Sequence, residues 1–151
     1  FESRETMFYR GLMITFVVLL SGFIWSNQVD PANATLDSNS SGKISPLIQN
    51  KSSIEKIRFA KFLHENEIVM YSAYWCPHCH DQKELFGKEA VEELTIIECA
   101  KDGKNNKFEL CQKKEIEGFP SWEINNQIYS GTRELSELGE LTNYPLLEDL
   151  K

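Results

Sequence analysis

The sequence predicts a small α/β domain over residues 53–151, and three observations support that class. An apolar run over residues 68–75 gives way directly to a polar, helix-forming run, which is typical of a strand that feeds a helix. Strand-like and helix-like runs then alternate, which favours parallel strands joined by right-handed helical crossovers. Two short strand-like runs flank Asn125-Asn126 and predict an antiparallel hairpin with a tight turn.

Helices and strands are predicted from the local patterns in chain order. Apolar residues near helical spacing predict a first helix capped by Ser52 or Ser53 and a second that starts at Pro77 and bends near Gly87. The same pattern predicts a helix over residues 105–116 and a last helix capped by Thr132. Short runs rich in β-branched or aromatic residues predict strands at residues 68–75, 95–99, 121–124 and 127–130. The resulting core order is β-α-β-α-β-β-α, with one extra helix before it.

The N-terminal stretch predicts a membrane segment. Residues 7–25 carry a single charge, on Arg10, and a spanning helix needs about 20 apolar residues. We therefore expect one transmembrane helix with a short cytoplasmic flank over residues 1–25. Arg4 and Arg10 precede the apolar run and the first charge after it is Asp30, so the positive-inside rule places the N-terminus in the cytoplasm. A cleaved signal peptide is the main alternative and a buried core helix the lesser one.

Residues 26–52 are rich in Asn, Ser, Pro and Gly and show no hydrophobic period, which predicts a flexible linker. The chain starts at Phe1 rather than at Met, so we expect it to be part of a longer protein. The formal net charge of −7 argues against nucleic acid as a partner.

A pair of cysteines two residues apart, Cys76 and Cys79, lies at the first strand-to-helix junction. A thiol at a helix N-terminus meets unpaired backbone N–H groups and the helix dipole, which favour its thiolate, the reactive form. This position predicts Cys76 as the nucleophile and Cys79, one turn further on, as the resolving thiol. We expect His78 to stabilise the Cys76 thiolate by partial positive charge or a hydrogen bond.

The motif Trp75-Cys76-Pro77-His78-Cys79, the Gly118-Phe119-Pro120 segment before the hairpin and the element order together resemble the thioredoxin family over about residues 53–144. The resemblance implies a thioredoxin-like fold in which the Phe119-Pro120 bond is cis and Pro120 lies against the dithiol. A turn-forming trans proline is the alternative. Zinc ligation by the cysteines and His78 is a further alternative, against which a C-x-x-C that opens a helix argues.

With the preceding membrane helix and a second cysteine pair, the chain is similar to the C-terminal thioredoxin-like domain of bacterial and plant vitamin K epoxide reductase fusions. That resemblance implies an enzyme in the periplasm or thylakoid lumen that oxidises cysteines of exported proteins. Its electrons would pass to a quinone-reducing membrane domain of the same chain, so we expect a quinone there and no cofactor in this segment. The alternatives are a stand-alone anchored reductase or isomerase, and a non-catalytic docking or holdase module with structural cysteines.

The direction of exchange and two further groups of residues follow from the same resemblance. The Pro-His pair is shared with the strongly oxidising DsbA family, whose potential is about −120 mV against about −270 mV for thioredoxin, so an oxidising pair is expected. Cys99 and Cys111 are predicted to form a structural disulfide, with free buried cysteines or a redox relay as alternatives. An apolar docking surface for substrate or for the membrane partner is predicted from Tyr74, Trp75 and Phe119.

One residue departs from the family pattern. Thioredoxins usually bury an acid six residues before the first cysteine, where it helps to remove the proton of the resolving thiol. Met70 occupies that position here. The sequence therefore leaves the deprotonation of Cys79 without its usual assistance.

Overall fold

The structure, a computed structural model, describes residues 42–150. The helices are α1 (Ile54–Glu65), α2 (Pro77–Phe86), α3 (Lys88–Val91), α4 (Phe108–Lys113) and α5 (Leu135–Leu141). The strands are β1 (Val69–Ser72), β2 (Thr95–Glu98), β3 (Ser121–Ile124) and β4 (Gln127–Ser130), and a short 3₁₀ helix follows at Leu147–Leu150. The predicted element order is confirmed, with the second helix interrupted at Gly87, whose φ of 86° ends α2 before α3 begins.

The four strands form one mixed sheet in the order β2-β1-β3-β4. β1 pairs in parallel with β2 and antiparallel with β3, and β3 and β4 form the predicted hairpin. The turn residues Asn125 and Asn126 have φ values of 51° and 63°, which a tight hairpin turn requires and which Asn tolerates. This topology is the one expected for a thioredoxin-like fold.

Side-chain alternation along β1 divides the interior into two clusters. Met70 belongs to the main core, which also contains the dithiol and the large side chains of the helices and of β3: Phe59, Leu63, Phe86, Trp122 and Leu138. Tyr71, the next residue, packs on the opposite face with Cys99 and Cys111. The two cysteine pairs therefore lie in separate buried clusters.

Two element boundaries differ from the predictions. β1 ends at Ser72 instead of residue 75, because the chain turns so that the Cys76 N–H donates to the Ala73 carbonyl oxygen at 3.0 Å. The third predicted helix begins at Phe108 instead of residue 105, where Asn105 has a φ of 54° that no helix contains. The other bounds lie close to those expected.

One predicted N-cap is confirmed and the other is wrong. The Ser53 side chain accepts a hydrogen bond from the Lys56 N–H at the start of α1. Thr132 does not cap α5, whose N-cap position is Glu134 and has no side-chain hydrogen bond. The Thr132 hydroxyl instead donates to the His78 carbonyl oxygen at 3.4 Å, so it contacts the dithiol helix α2.

The last part of the predicted linker packs on the domain, and we call residues 43–52 the N-terminal strap. Lys43 pairs with Gly103 in a single β-bridge, and Ser52 Oγ accepts the Ala90 N–H at 2.9 Å. Between them, the N–H groups of Gln49 and Asn50 donate to the Glu84 carboxylate at 2.8 and 2.9 Å. Loop-like composition predicted a free tether here, whereas side chains of α2 and α3 supply the hydrogen-bond partners.

The predicted transmembrane helix over residues 1–25 and the rest of the linker lie outside the described residues. Within residues 42–150, none of the helices has the length and apolarity needed to cross a membrane.

Replacement of Glu84 by Gln is expected to loosen the strap. The pKa of Glu84 is lowered because the N–H groups of Gln49 and Asn50 stabilise its carboxylate. A lowered pKa in the folded state means that this stabilisation is present above the unfolded-state pKa and is lost as the pH falls through the folded-state value. Glu84→Gln at neutral pH, or protonation of Glu84 at acid pH in the wild type, should therefore lower the protection factors of the Gln49 and Asn50 amides severalfold, each rate being compared with the intrinsic exchange rate at the same pH.

The matched control is Glu117→Gln, which removes an exposed carboxylate and should leave both amides unchanged. Equal exchange rates in Glu84→Gln and the wild type at neutral pH would contradict the proposed role of this carboxylate.

The Cys99–Cys111 disulfide is expected to be a major contributor to stability. It joins the end of β2 to α4 across a sequence separation of 12 residues, and closing a loop of that size stabilises a domain by about 3 kcal/mol through the entropy of the unfolded chain. Urea unfolding of the Cys99→Ala/Cys111→Ala variant should show a loss of about that size. The control Cys76→Ala/Cys79→Ala removes two cysteines without removing a cross-link and should lose less, so an equal loss in the two variants would contradict this role.

Candidate active site

Cys76 occupies the N-cap position of α2. Its backbone is extended, with φ −80° and ψ 117°, and its sulfur accepts a hydrogen bond from the Cys79 N–H at 3.2 Å. Pro77 fills the first helical position, where its fixed φ suits a helix and its missing N–H is not needed. The sulfur therefore takes the place that a Ser or Asp oxygen takes in an ordinary N-cap, and a thiolate there is stabilised by the N–H donor and the helix dipole.

The two thiols differ in access. Cys76 and Cys79 are both free cysteines, with 6% and 1% of their surface exposed. The order agrees with the roles that sequence predicts, in which an incoming sulfur reaches Cys76 and Cys79 acts from inside.

The segment before β3 lies directly against Cys76. The Phe119-Pro120 peptide bond is cis, Pro120 is fully buried, and the Phe119 carbonyl oxygen lies 3.4 Å from the Cys76 sulfur, which donates to it as a thiol. The Phe119 ring packs edge-to-face on Trp75 with ring centres 6.1 Å apart, and Trp75 is 59% exposed. An aromatic pair thus flanks the nucleophile.

Of the three residues predicted for docking, Tyr74 is placed elsewhere. Its hydroxyl donates to the Asp102 carboxylate at 3.1 Å, and the Lys43 ammonium lies 5.7 Å from the centre of its ring. Tyr74 therefore contacts the strap and the loop after β2, while Trp75 and Phe119 alone form the aromatic pair.

The His78 ring is directed away from the sulfur. Its side chain is 74% exposed, and Nδ1 lies 3.8 Å from the Asp81 carboxylate. No hydrogen bond joins this ring to Cys76 within the part of the chain that the structure describes, so only the long-range charge effect of His78 remains as a prediction. His80, two residues on, lies with Nε2 3.4 Å from Glu84, the residue that holds the strap.

Cys79 lies in an apolar setting that opposes its ionisation. Burial and then the hydrogen bond with Cys76 raise the pKa of Cys79 to about 12, while the Ser72 hydroxyl and the Ala73 backbone act in the opposite direction. Met70, at the position where related domains have an acid, is fully buried in the same cluster.

Sequence reasoning missed two polar residues that lie buried beside the dithiol. Ser72 is the last residue of β1 and has no exposed surface. Lys83 is only 7% exposed, and its ammonium donates to Ser45 Oγ of the strap at 3.2 Å. For Lys83 the sequence does contain one indication, which is its spacing. Lys83 follows Cys79 by four residues and therefore lies on the same face of the helix.

A third buried polar residue, Gln82, fixes α2 on the sheet. Its side-chain oxygen accepts the Arg133 N–H at 2.7 Å and the Trp122 indole N–H at 3.3 Å, and its amide donates to the Arg133 carbonyl oxygen at 3.0 Å. These bonds tie the dithiol helix to β3 and to the segment before α5. They attach α2 to β3, the strand that directly follows Phe119 and Pro120.

The second cysteine pair is placed where a structural role is reasonable. Cys99 and Cys111 are joined in a disulfide and pack with Tyr71 on the face of the sheet opposite the dithiol. Across residues 42–150, no group of three or more His, Cys, Asp or Glu side chains is arranged to hold a metal ion.

Comparison with known proteins points to the same chemistry. The chain is 46% identical over 102 residues to the thiol-disulfide oxidoreductase LTO1 of Arabidopsis thaliana, a match that covers 66% of this chain and 27% of that protein. It is 27% identical over 100 residues to a protein disulfide-isomerase of Arthroderma benhamiae, covering 61% of this chain and 18% of that protein. No protein-family model matches the chain. The chain spans less than a third of the length of either relative.

The domain is thioredoxin-like. The mixed sheet with its helices and the homology to a thiol-disulfide oxidoreductase both support that statement. The name of the Arabidopsis relative also supports an oxidoreductase enzyme.

The two thiols should react at different rates with an alkylating reagent. Only a thiolate attacks iodoacetamide, and burial together with a raised pKa keeps Cys79 protonated near neutral pH. In the folded, reduced protein Cys76 should be modified at least about tenfold faster than Cys79, as measured by mass spectrometry of peptides after timed quenching. In urea the two rates should converge, and faster labelling of Cys79 in the folded state would contradict the assigned order.

Proposed function

We propose that this domain is a thiol–disulfide oxidoreductase that oxidises cysteine pairs of exported proteins. The observation that carries the proposal is the Cys76 sulfur at the N-cap of α2, where it accepts the Cys79 N–H and lies beside the Phe119 carbonyl oxygen. A sulfur that serves only to pack does not need this position at a helix terminus.

The proposed reaction is two successive exchanges. A substrate thiolate attacks the Cys76 sulfur of the Cys76–Cys79 disulfide, and Cys79 leaves as a thiolate that then takes a proton. A second substrate thiolate attacks the substrate sulfur of the mixed disulfide, and Cys76 leaves as a thiolate. The substrate gains one disulfide and loses two electrons, which the Cys76–Cys79 pair holds as a dithiol.

The N-cap position favours this direction of exchange. Stabilising the Cys76 thiolate stabilises the reduced form of the pair, so its disulfide becomes a stronger oxidant. The Pro77-His78 dipeptide between the cysteines agrees with an oxidising pair, since the strongly oxidising DsbA family has the same two residues there.

The proposed docking surface is the aromatic pair Trp75 and Phe119. An exposed indole beside the nucleophile offers apolar contact area to an unfolded chain, and aromatic side chains are enriched at protein interfaces. Such a surface accepts varied sequences, which suits an enzyme that acts on cysteines of many proteins.

We further propose that electrons leave through a quinone-reducing vitamin K epoxide reductase-like membrane domain of the same chain, with residues 1–25 as its link to this domain. The apolar N-terminal stretch supports the membrane link. The Arabidopsis relative is also much longer than the matched region, since this chain covers 27% of it. The redox domain, residues 53–151, then lies in the periplasm or thylakoid lumen, and the quinone belongs to the membrane domain.

A second candidate is a reductase or isomerase that uses the same cysteines. Similarity to a protein named protein disulfide-isomerase favours it. The chemistry differs only in which form of the dithiol meets the substrate, so the redox potential of the pair decides between the two candidates.

The proposal is tested by oxidative refolding of a reduced substrate protein with the full chain supplied as its disulfide. Cys76→Ser should lower the rate of substrate disulfide formation to that without protein. Cys79→Ser is supplied as a mixed disulfide between Cys76 and the substrate protein. It should carry out the second exchange once, release Cys76 as a thiolate and then stop. A Cys76→Ser variant that retains the effect of the wild type on refolding would show a holdase with structural cysteines and would overturn the proposal.

A further inference from the structure

We propose that Ser72 and Lys83 together receive the Cys79 thiolate, in place of the acid that related domains bury near the resolving cysteine. The inference rests on the proposed function, because Cys79 must leave as a thiolate in the first exchange. Both residues act on the sulfur from inside the domain, so neither bears on how substrate docks.

Ser72 has a buried hydroxyl without a hydrogen-bond partner in the part of the chain that the structure describes. Its oxygen is fully buried and forms no hydrogen bond with any group of residues 42–150. Because side chains alternate along a strand, Ser72 points to the same face of β1 as Met70. It lies two residues further along the strand, nearer to the dithiol. Buried hydroxyls nearly always have a partner, so an orphan at this position points to a group that becomes an acceptor during the reaction.

The Cys79 sulfur is that group. The Ser72 hydroxyl already acts to lower the pKa of Cys79, although in the thiol state the contact lacks the geometry of a hydrogen bond. A thiolate accepts hydrogen bonds far better than a thiol, and a bond to a charged acceptor is roughly twice as strong as a neutral one. Ionisation of Cys79 therefore turns the orphan hydroxyl into a donor with a partner.

Lys83 supplies a buried charge of the right sign. It lies one turn after Cys79 on the same face of α2, and within the described residues it forms no ion pair with a carboxylate. Its single hydrogen bond, to Ser45 of the strap, leaves two ammonium hydrogens without a protein acceptor there. Buried charges are normally paired, so an anion formed beside Lys83 would stabilise its ammonium form and be stabilised by it.

The charged groups around Lys83 identify that anion. Burial lowers the pKa of Lys83 below its ordinary value, and Cys79, Glu98 and Cys76, in that order, act in the opposite direction. One oxygen of Glu98 accepts the N–H groups of Tyr74 at 3.2 Å and Ala100 at 2.8 Å, and within residues 42–150 no ion pair joins Glu98 to Lys83. The thiolate of Cys79 is thus the anion that Lys83 is placed to balance.

In the first exchange the bond between the Cys76 and Cys79 sulfurs breaks with its electron pair going to Cys79. Ser72 then donates to this thiolate and Lys83 balances its charge, until water supplies the proton that gives the neutral thiol. A buried acid would act as a base for the reverse step, whereas a hydroxyl and a cation stabilise the leaving thiolate. A hydroxyl and a cation in place of a buried acid therefore agree with an enzyme that oxidises its substrate.

The test measures the ionisation of Cys79 directly. In a Cys76→Ala background, with the second disulfide intact, Cys79 is the only free thiol, and its thiolate fraction is followed from neutral to mildly alkaline pH by its rate of reaction with iodoacetamide, which is proportional to that fraction below the pKa. The other titratable groups that bear on the measurement are then Lys83, on the same face of α2, and Glu98, which acts on Lys83. Adding Ser72→Ala should raise the pKa of Cys79 by about one unit, a tenfold smaller thiolate fraction at a given pH.

Replacement of Lys83 by Met should raise the pKa of Cys79 by at least as much, and Lys83→Arg should restore it because the charge is retained. The matched controls are Ser136→Ala and Lys113→Met, which should leave the titration unchanged. An unchanged pKa of Cys79 in Ser72→Ala or in Lys83→Met, relative to the background, overturns the role of that residue. If Lys83→Met does not fold, Ser72→Ala and Lys83→Gln decide the matter.

The titration and the refolding assay can contradict this inference and the proposed function separately. A full chain that oxidises substrate while neither substitution moves the Cys79 titration retains the proposed function and loses this inference. A chain that shows both pKa shifts and oxidises nothing retains the thiolate site and loses the proposed function.

Discussion

The hydrogen bond from the Cys79 N–H to the Cys76 sulfur depends on the exact place where strand β1 gives way to helix α2. β1 ends at Ser72, a tight turn returns the Cys76 N–H to Ala73, and Pro77 starts the helix at once. Gln82 then anchors the helix to Trp122 of β3, and β3 is the strand that follows Phe119 and Pro120. The position of one sulfur atom therefore depends on contacts that reach from β1 to β3, the two central strands of the sheet.

The two thiols of the pair are placed in opposite electrostatic settings. Cys76 lies at the positive end of a helix, while Cys79 is almost completely buried, which raises its pKa. The proposed exchange uses this difference, since one sulfur must be attacked and the other must leave. The Cys99–Cys111 disulfide lies in a separate cluster, so it can stabilise the domain without sharing the environment of the reactive pair.

The features that the sequence predicts well are those with local causes. The C-x-x-C motif at a strand-to-helix junction, the asparagine turn of the hairpin and the topology of the sheet all follow from short patterns and from the handedness of crossovers. The sequence also shows that Met70 occupies the position of the usual buried acid. The roles of Ser72 and Lys83 were not visible, because each depends on what packs over it in three dimensions. Lys83 is covered by Ser45, which lies 38 residues earlier in a stretch whose composition predicts a linker.

The redox potential of the Cys76–Cys79 pair tests the central claim most directly. The full chain is equilibrated with glutathione buffers of known ratio, and the oxidised fraction is measured after rapid acid quenching and alkylation. An oxidant built on a stabilised Cys76 thiolate predicts a potential above about −200 mV, towards the value of about −120 mV for DsbA. A potential at or below the value of about −270 mV for thioredoxin would contradict the account and would assign the domain to disulfide reduction.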